Sequence, residues 1–234
     1  MPIYIWIHGG HFRHGTGKWY DGYRFTRNDD IVYVTIQYRL GHFGFFNVKD
    51  TKYTGNYGLM DQQLAIKFIY DNADKIGGDR NRITIGGESA GSISSSFQML
   101  NPETNFMVSQ AILQSGMPNA ACGDWCQDDR SRIKMICDSL DNSKCNSAGG
   151  NFEHMVDQLA KTPSQEIYHL LNGYGVSVSV NTKDGQFFKT DPWQAVRDRS
   201  FKSNVNMLMG FTSFEGSLEK TSYPSRFNKE RVYL

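Results

Sequence analysis

The five residues Gly87-Glu88-Ser89-Ala90-Gly91, directly behind the β-rich run Ile83-Thr84-Ile85-Gly86, constrain this chain more than any other stretch. A short strand that turns at once into a helix holds the central residue of the turn in a strained backbone conformation, where side chains two positions to either side collide. Glycine at both places removes the collision. Such a turn lifts the Ser89 hydroxyl clear of the sheet and aims the first free N–H groups and the positive dipole end of the next helix at it. Small residues over 90–96, then Phe97, Met99 and Leu100, carry helical character, with no proline before Pro102. The plainer reading is a glycine-rich turn whose serine caps a helix. The strand in front and the helix behind favour a nucleophile.

The rest of the chain reads as α/β. Apolar, β-rich runs stand at 2–8, 31–38, 82–86, 110–114 and 206–210, separated by segments long enough for crossover helices. The clearest helix is predicted over 59–76, with Met60, Leu64, Phe68 and the pair Ala65 and Ile69 on its apolar face and Gly77-Gly78 ending it. Asp61 in its first turn suits the helix dipole. Two or three polar amphipathic helices are expected between 127 and 172, broken by the polar stretch 141–151 and by Pro163. This region reads as an insertion above the sheet. Neither internal repeats nor a composition shift marks a second domain.

With 234 residues, 39% of them hydrophobic and 13% aromatic, the chain can bury a large core. A net charge of +1 with mixed signs offers no basic stripe for nucleic acid, and no apolar stretch approaches membrane-spanning length. A small or neutral substrate is expected. The four cysteines, Cys122, Cys126, Cys137 and Cys145, allow three pairings, of which Cys137–Cys145 with Cys122–Cys126 is favoured. Zinc is the weaker alternative, because neither close pair has a matching histidine at metal-ligand spacing. Disulfides point to an oxidising compartment, and the absence of any Asn-x-Ser/Thr acceptor weighs mildly against a secreted protein.

Acyl transfer needs oxyanion donors, a base and an acid to orient the base. The first strand runs into His8-Gly9-Gly10-His11-Phe12, a turn that can leave backbone N–H groups pointing into a cleft. Several blocks in order then match a known pattern: Trp6-Ile7-His8-Gly9-Gly10, Tyr38-Arg39-Leu40-Gly41 with Gly44-Phe45, Gly55-Asn56-Tyr57-Gly58-Leu59-Met60-Asp61-Gln62 and the Ser89 elbow. Ala111-Ile112-Leu113-Gln114-Ser115-Gly116, Asp184-Gly185-Gln186-Phe187 and Gly210-Phe211-Thr212-Ser213-Phe214-Glu215-Gly216 complete them. Over nearly its whole length the chain resembles the type-B carboxylesterase and cholinesterase family of α/β-hydrolases.

The resemblance implies an α/β-hydrolase domain over 1–234, incomplete at both ends, with a mostly parallel sheet and helices on both faces. It implies a carboxylic ester hydrolase acting through an acyl-serine, with no cofactor or metal and a small-molecule ester as its partner. Residue by residue, Ser89 is the nucleophile, Glu215 the triad acid, and the N–H groups of Gly10, His11 and Ala90 the oxyanion hole. Glu88 is similar to the family's pocket glutamate, and Arg39 and Asp61 to an ion pair joining two loops beneath the site. The family often has glycine where His11 stands, so an imidazole there crowds the acyl pocket and weighs against bulky acyl groups. A secretory-pathway location is implied.

One part is missing from the pattern. The histidines stand at 8, 11, 14, 42, 154 and 169, all before Glu215, whereas the hydrolase order is serine, acid, histidine. The chain also opens straight into the apolar run 3–7. It therefore reads as an internal piece of a longer esterase that lacks the triad histidine. A non-catalytic adhesion or binding protein on the same scaffold, and an inactive truncated product, are the rival readings. An upstream histidine acting as substitute base is a further one.

Overall fold

The computed structural model describes residues 1–118, 129–140, 145, 151–173, 178, 180–200, 204–215 and 217. Among them, five strands form one parallel sheet in the order β2-β1-β3-β4-β5. These are β1 (Ile3–Ile7), β2 (Val32–Thr35), β3 (Ile83–Glu88), β4 (Gln110–Gln114) and β5 (Asn206–Gly210). The register sets Ile5 against Val34 on one side and Ile85 on the other. Ile85 in turn pairs with Ala111, and Ala111 with Met207. β2 is shorter than the predicted run 31–38, and β3 extends past its predicted end into the elbow.

Alternation along the strands sorts the two faces. Ile3, Ile5, Ile7, Ile83, Ile85, Ala111 and Leu113 are buried in one cluster with Leu59, Ile66, Ile69, Ile93 and Phe97. Those last five come from α3 (Tyr57–Asp71) and α4 (Ala90–Leu100), and α4 lies over β1, β3 and β4. On the opposite face, Phe25 of α1 (Tyr23–Thr26) stacks on Tyr33 and meets Tyr4 edge-on. Strand β1 is wholly buried and β5, at the sheet edge, wholly exposed.

Helix α3 corrects the predicted apolar face. The helix itself ends at Asp71, a 3-10 turn follows over Ala73–Ile76, and Gly77 closes it with φ of +73°. Gly58, Leu59, Gln62, Ile66 and Ile69 are buried; of the predicted face, Ile69 is buried and Met60 and Ala65 pack partly buried against the core, while Leu64 and Phe68 are exposed. The reason is a polar contact: Gln62 Nε2 donates to Ser94 Oγ at 3.0 Å, and Gln98 Nε2 donates to the Leu59 carbonyl at 2.8 Å. These bonds between α3 and α4 draw the Gln62 stripe inward.

The helices α5 (Arg130–Ser139), α6 (Phe152–Leu159) and α7 (Ser164–Gly173) follow β4 and enclose a second core of Ile133, Ile136, Met155, Val156 and Leu159. A disulfide joins Cys137 to Cys145 within it. Cys122 and Cys126 lie outside the described residues. Asp129 anchors this unit: buried, it accepts the Asn47 N–H at 3.0 Å and pairs with Arg132, while its own N–H donates to the Asn47 carbonyl at 2.8 Å. Asn47 follows α2 (Gly41–Phe45), so the insertion is tied to the loop that leads into α3. The short helix α8 (Pro192–Arg197) packs near α4. Among the described residues, no helix is long and apolar enough to cross a membrane.

Candidate active site

The chain leaves β1 for β2 on one side and later enters β3 on the other, so the strand order reverses between β1 and β3. In open parallel sheets, ligands bind in the crevice outside the carboxyl ends of strands at such a switch point. The carboxyl end of β1 carries His8, Gly9, Gly10 and His11; that of β3 carries Ser89. The loops after β4 and β5 bring Ser115 and Glu215 to the same end.

Ser89 caps α4 with φ of +54° and ψ of −122°, a conformation outside the regions open to ordinary L-residues. Its N–H donates to the Gln114 carbonyl at 2.9 Å, which fastens the elbow to the end of β4. A side chain on Gly87 or Gly91 would overlap the Ile7 carbonyl oxygen, so β1 closes the space on that side. Gly9 approaches equally closely. A Cβ there would stand 2.5 Å from the Glu88 carbonyl oxygen and 3.3 Å from Ser89 Cβ.

The turn after β1 is built from consecutive left-handed residues, Gly10 at φ of +111°, His11 at +56° and Phe12 at +59°. It turns the Gly10 carbonyl back to accept the N–H groups of Arg13 at 2.9 Å and His14 at 3.1 Å. Phe12 is fully buried against Phe45, which anchors the turn from below. His8 supports it from the strand: its ring stacks on Tyr38 at 4.5 Å, and its Nδ1 lies 2.9 Å from the Gly9 carbonyl oxygen. The Tyr38 hydroxyl donates to the His8 carbonyl at 2.7 Å. Burial holds the His8 ring below its usual pKa, which favours the neutral imidazole.

Glu215 accepts the Thr212 N–H at 2.8 Å and a hydrogen bond from Ser115, which together hold its carboxyl below the usual carboxylate range. Glu88 moves the other way. Partial burial, and then the charge of Glu215, raise it, while His11 opposes the rise. Glu215 and His11 thus both act on Glu88 beside the elbow. Ser115 was not singled out by the sequence; it stands at φ of +51°, and its N–H donates to the Gly210 carbonyl at 2.9 Å.

The other predicted pair lies beside this centre. Arg39 Nε donates to Asp61 Oδ2 and Arg39 Nη2 to Asp61 Oδ1, both at 2.8 Å, and the Arg39 N–H adds a third bond at 2.9 Å. Asp61 belongs to helix α3 rather than a loop, and the Arg39 side chain is 53% exposed. The six histidines have separate surroundings. His11 and His14 face each other at 6.1 Å, His8 sits under the turn, and His42 is buried in α2. His154 contacts Gln158 in α6, and His169 meets Tyr168 in α7. Among the described residues, no group of three or more histidine, cysteine or carboxylate side chains is placed to hold a metal ion.

Comparison with known proteins adds a family to this geometry. Residues 1–233 match the model of the carboxylesterase family. A carboxylesterase 5A of Ovis aries is 35% identical over 92% of this chain and 55% of its own length. A carboxylesterase 5A of Felis catus is 32% identical over 92% of this chain and 38% of its own. A cholinesterase 1 of Branchiostoma lanceolatum is 31% identical over 92% of this chain and 62% of its own. The chain therefore spans between 38% and 62% of the length of these relatives.

Proposed function

We propose, from the premise that this chain belongs to the carboxylesterase family, that it supplies the nucleophile, oxyanion hole and triad acid of a serine esterase for small carboxylic esters. The observation that carries the reading is the strained Ser89, held at the strand-order reversal with the Gly9 turn packed against it. Ser89 Oγ attacks the ester carbonyl carbon, and the N–H groups of Gly10, His11 and Ala90 hold the negative charge on the carbonyl oxygen. The alcohol leaves with a proton, and water then cleaves the acyl-serine to acid and free serine. Ala90 fits its part because the N–H groups in the first turn of a helix have no partner within it.

Glu215 orients the base in this scheme, and its carboxylate is kept ionised by Thr212 and Ser115. No histidine among the described residues is assigned here as the base: His8 stacks on Tyr38 under the turn, His42 is buried in α2, and His154 and His169 belong to α6 and α7. His11 narrows the acyl side of the cleft and directs the site to short acyl groups. The Cys137–Cys145 disulfide supports a place in the secretory pathway, where such bonds persist.

The test is acylation of the chain by p-nitrophenyl acetate, with imidazole added as an external base, followed by acid quenching and peptide mass analysis. The acetyl group is expected on Ser89 and is lost in Ser89→Ala. Acetylation that survives the substitution unchanged, or none above background, would overturn the assignment of the nucleophile.

A further inference from the structure

The two N–H groups that the turn after β1 contributes belong to the peptide units joining Gly9 to Gly10 and Gly10 to His11, and each unit carries a carbonyl on its opposite side. A trans peptide unit is planar with its C=O and N–H antiparallel, so whatever holds the carbonyl also sets the direction of the N–H. No cis peptide bond occurs among the described residues. The Gly10 carbonyl accepts the Arg13 and His14 N–H groups, so the backbone itself fixes the unit that carries the His11 N–H.

The Gly9 carbonyl is held by a side chain. His8 Nδ1 lies 2.9 Å from it in the buried interior. A carbonyl oxygen only accepts, so Nδ1 carries the proton and Nε2 is the bare nitrogen of a neutral ring. Nε2 is buried and has no hydrogen-bond partner among the described residues, which suits this tautomer, since a proton placed there would find no acceptor. The bond matters because the unit it restrains lies between two residues without Cβ, where a rotation that turns the N–H out of the cleft meets little steric resistance. The imidazole is restrained in turn. Its ring is fully buried and stacked on Tyr38. Gly15 leaves room for the bond, because a Cβ at that position would stand 2.5 Å from both His8 Nδ1 and the Gly9 carbonyl oxygen.

We propose that His8 is a positioning residue of the oxyanion hole: its Nδ1–H holds the Gly9 carbonyl so that the Gly10 N–H, on the other side of the same peptide unit, points at the ester oxygen. The inference rests on the assignment of Ser89 and the Gly10 N–H made above. His8 acts through the backbone and not as the base.

Nitrogen NMR of the imidazoles in the 234-residue chain reads the tautomer directly. A protonated Nδ1 and a bare Nε2 are expected for His8; the reverse tautomer would overturn the proposal and leave the assignment of Ser89 untouched. Acetylation by p-nitrophenyl acetate, with imidazole as external base, then separates the donor from the fold. His8→Asn sets an amide nitrogen near the place of Nδ1, and His8→Leu has nearly the same shape without a donor. His8→Leu is expected to slow acetylation of Ser89 by about 10- to 100-fold, less than the roughly 100- to 1,000-fold lost when an oxyanion donor is removed outright. The half-saturating ester concentration should stay unchanged, because the full negative charge develops only on the way to the tetrahedral species. His8→Asn is expected to recover most of the rate. Should circular dichroism show His8→Leu unfolded, His8→Phe, which keeps a ring on Tyr38, takes its place. Equal rates in the donor and donor-free variants, or a loss confined to half-saturation, would mean that His8 only supports the fold. Failure of the unaltered chain to acetylate Ser89 would instead remove the nucleophile assignment, and the catalytic role of the His8 bond with it.

Discussion

Gly91 lies so close to the Ile7 carbonyl oxygen that no side chain fits between them. The contact joins the first turn of α4 to the end of β1, and it is through this contact that the strained serine is held over the strand-order reversal. A methyl group at Gly91 forces the elbow away from β1 or bends the strand. Gly91→Ala is therefore expected to destabilise the chain by roughly 1–3 kcal/mol, the usual range for overpacking a closed interior. The urea midpoint measures the loss, and an unchanged midpoint would show that the elbow relaxes freely.

The Arg39–Asp61 pair is bidentate but half open to water. Exposed pairs contribute little even with good geometry, so Asp61→Asn is expected to cost about 1 kcal/mol rather than the several typical of a buried pair. Thermal unfolding in low and high salt distinguishes the two. A loss of several kcal/mol that salt does not change would mean the pair is sealed from solvent.

Glu88 and Glu215 should titrate as neighbours. The Glu88 pKa is raised in the folded chain, so the folded state binds more protons than the unfolded one near that pKa, and stability falls as pH rises through it. Glu88→Gln is expected to be more stable than the parent at neutral pH, with the difference vanishing below the ordinary glutamate pKa. Glu215→Gln removes a neighbouring charge and should move the Glu88 titration down, as followed by carboxyl carbon chemical shifts. A Glu88 titration that ignores Glu215 would separate the two groups.

Glu215 has the opposite sign. Its pKa is lowered by the Thr212 N–H and by Ser115, so its contribution to stability is present above the unfolded pKa and lost as pH falls through the folded one. Ser115→Ala is expected to move the Glu215 titration upward toward the ordinary range. No movement would mean that Thr212 alone sets it.

The Cys137–Cys145 bridge spans a separation of eight residues inside the second core. Closing so short a loop stabilises by about 2.5 kcal/mol in the chain-entropy description. Serine at both positions should speed amide exchange in α5 and α6 while β1 and β3 keep their protection. Equal loosening of the sheet would show that the insertion and the sheet unfold together.

Local features of the sequence translate directly into structure. β4 and β5 occupy the expected residues, 110–114 and 206–210, and the elbow follows its strand as the glycine spacing requires. Helix α3 shows where such reading stops. Both the Leu64–Phe68 stripe and the Leu59–Ile66 stripe have helical spacing, and the choice between them rests on Ser94 and Gln98 of α4. That partner is remote in sequence and invisible in the period of α3. The contact of Ser115 with Glu215 was equally hidden, since it depends on segments about 100 residues apart meeting at one place.

By itself, the sequence determined that a strand turns into a helix at Ser89 and that parallel strands alternate with helices, because steric freedom at glycine and the periodicity of apolar residues are properties of neighbouring residues. Only the tertiary structure decided that Glu88 feels Glu215 and His11, and that β5 is the outer strand next to β4 among the described residues. Charge interaction and strand position exist only once distant segments share the same space.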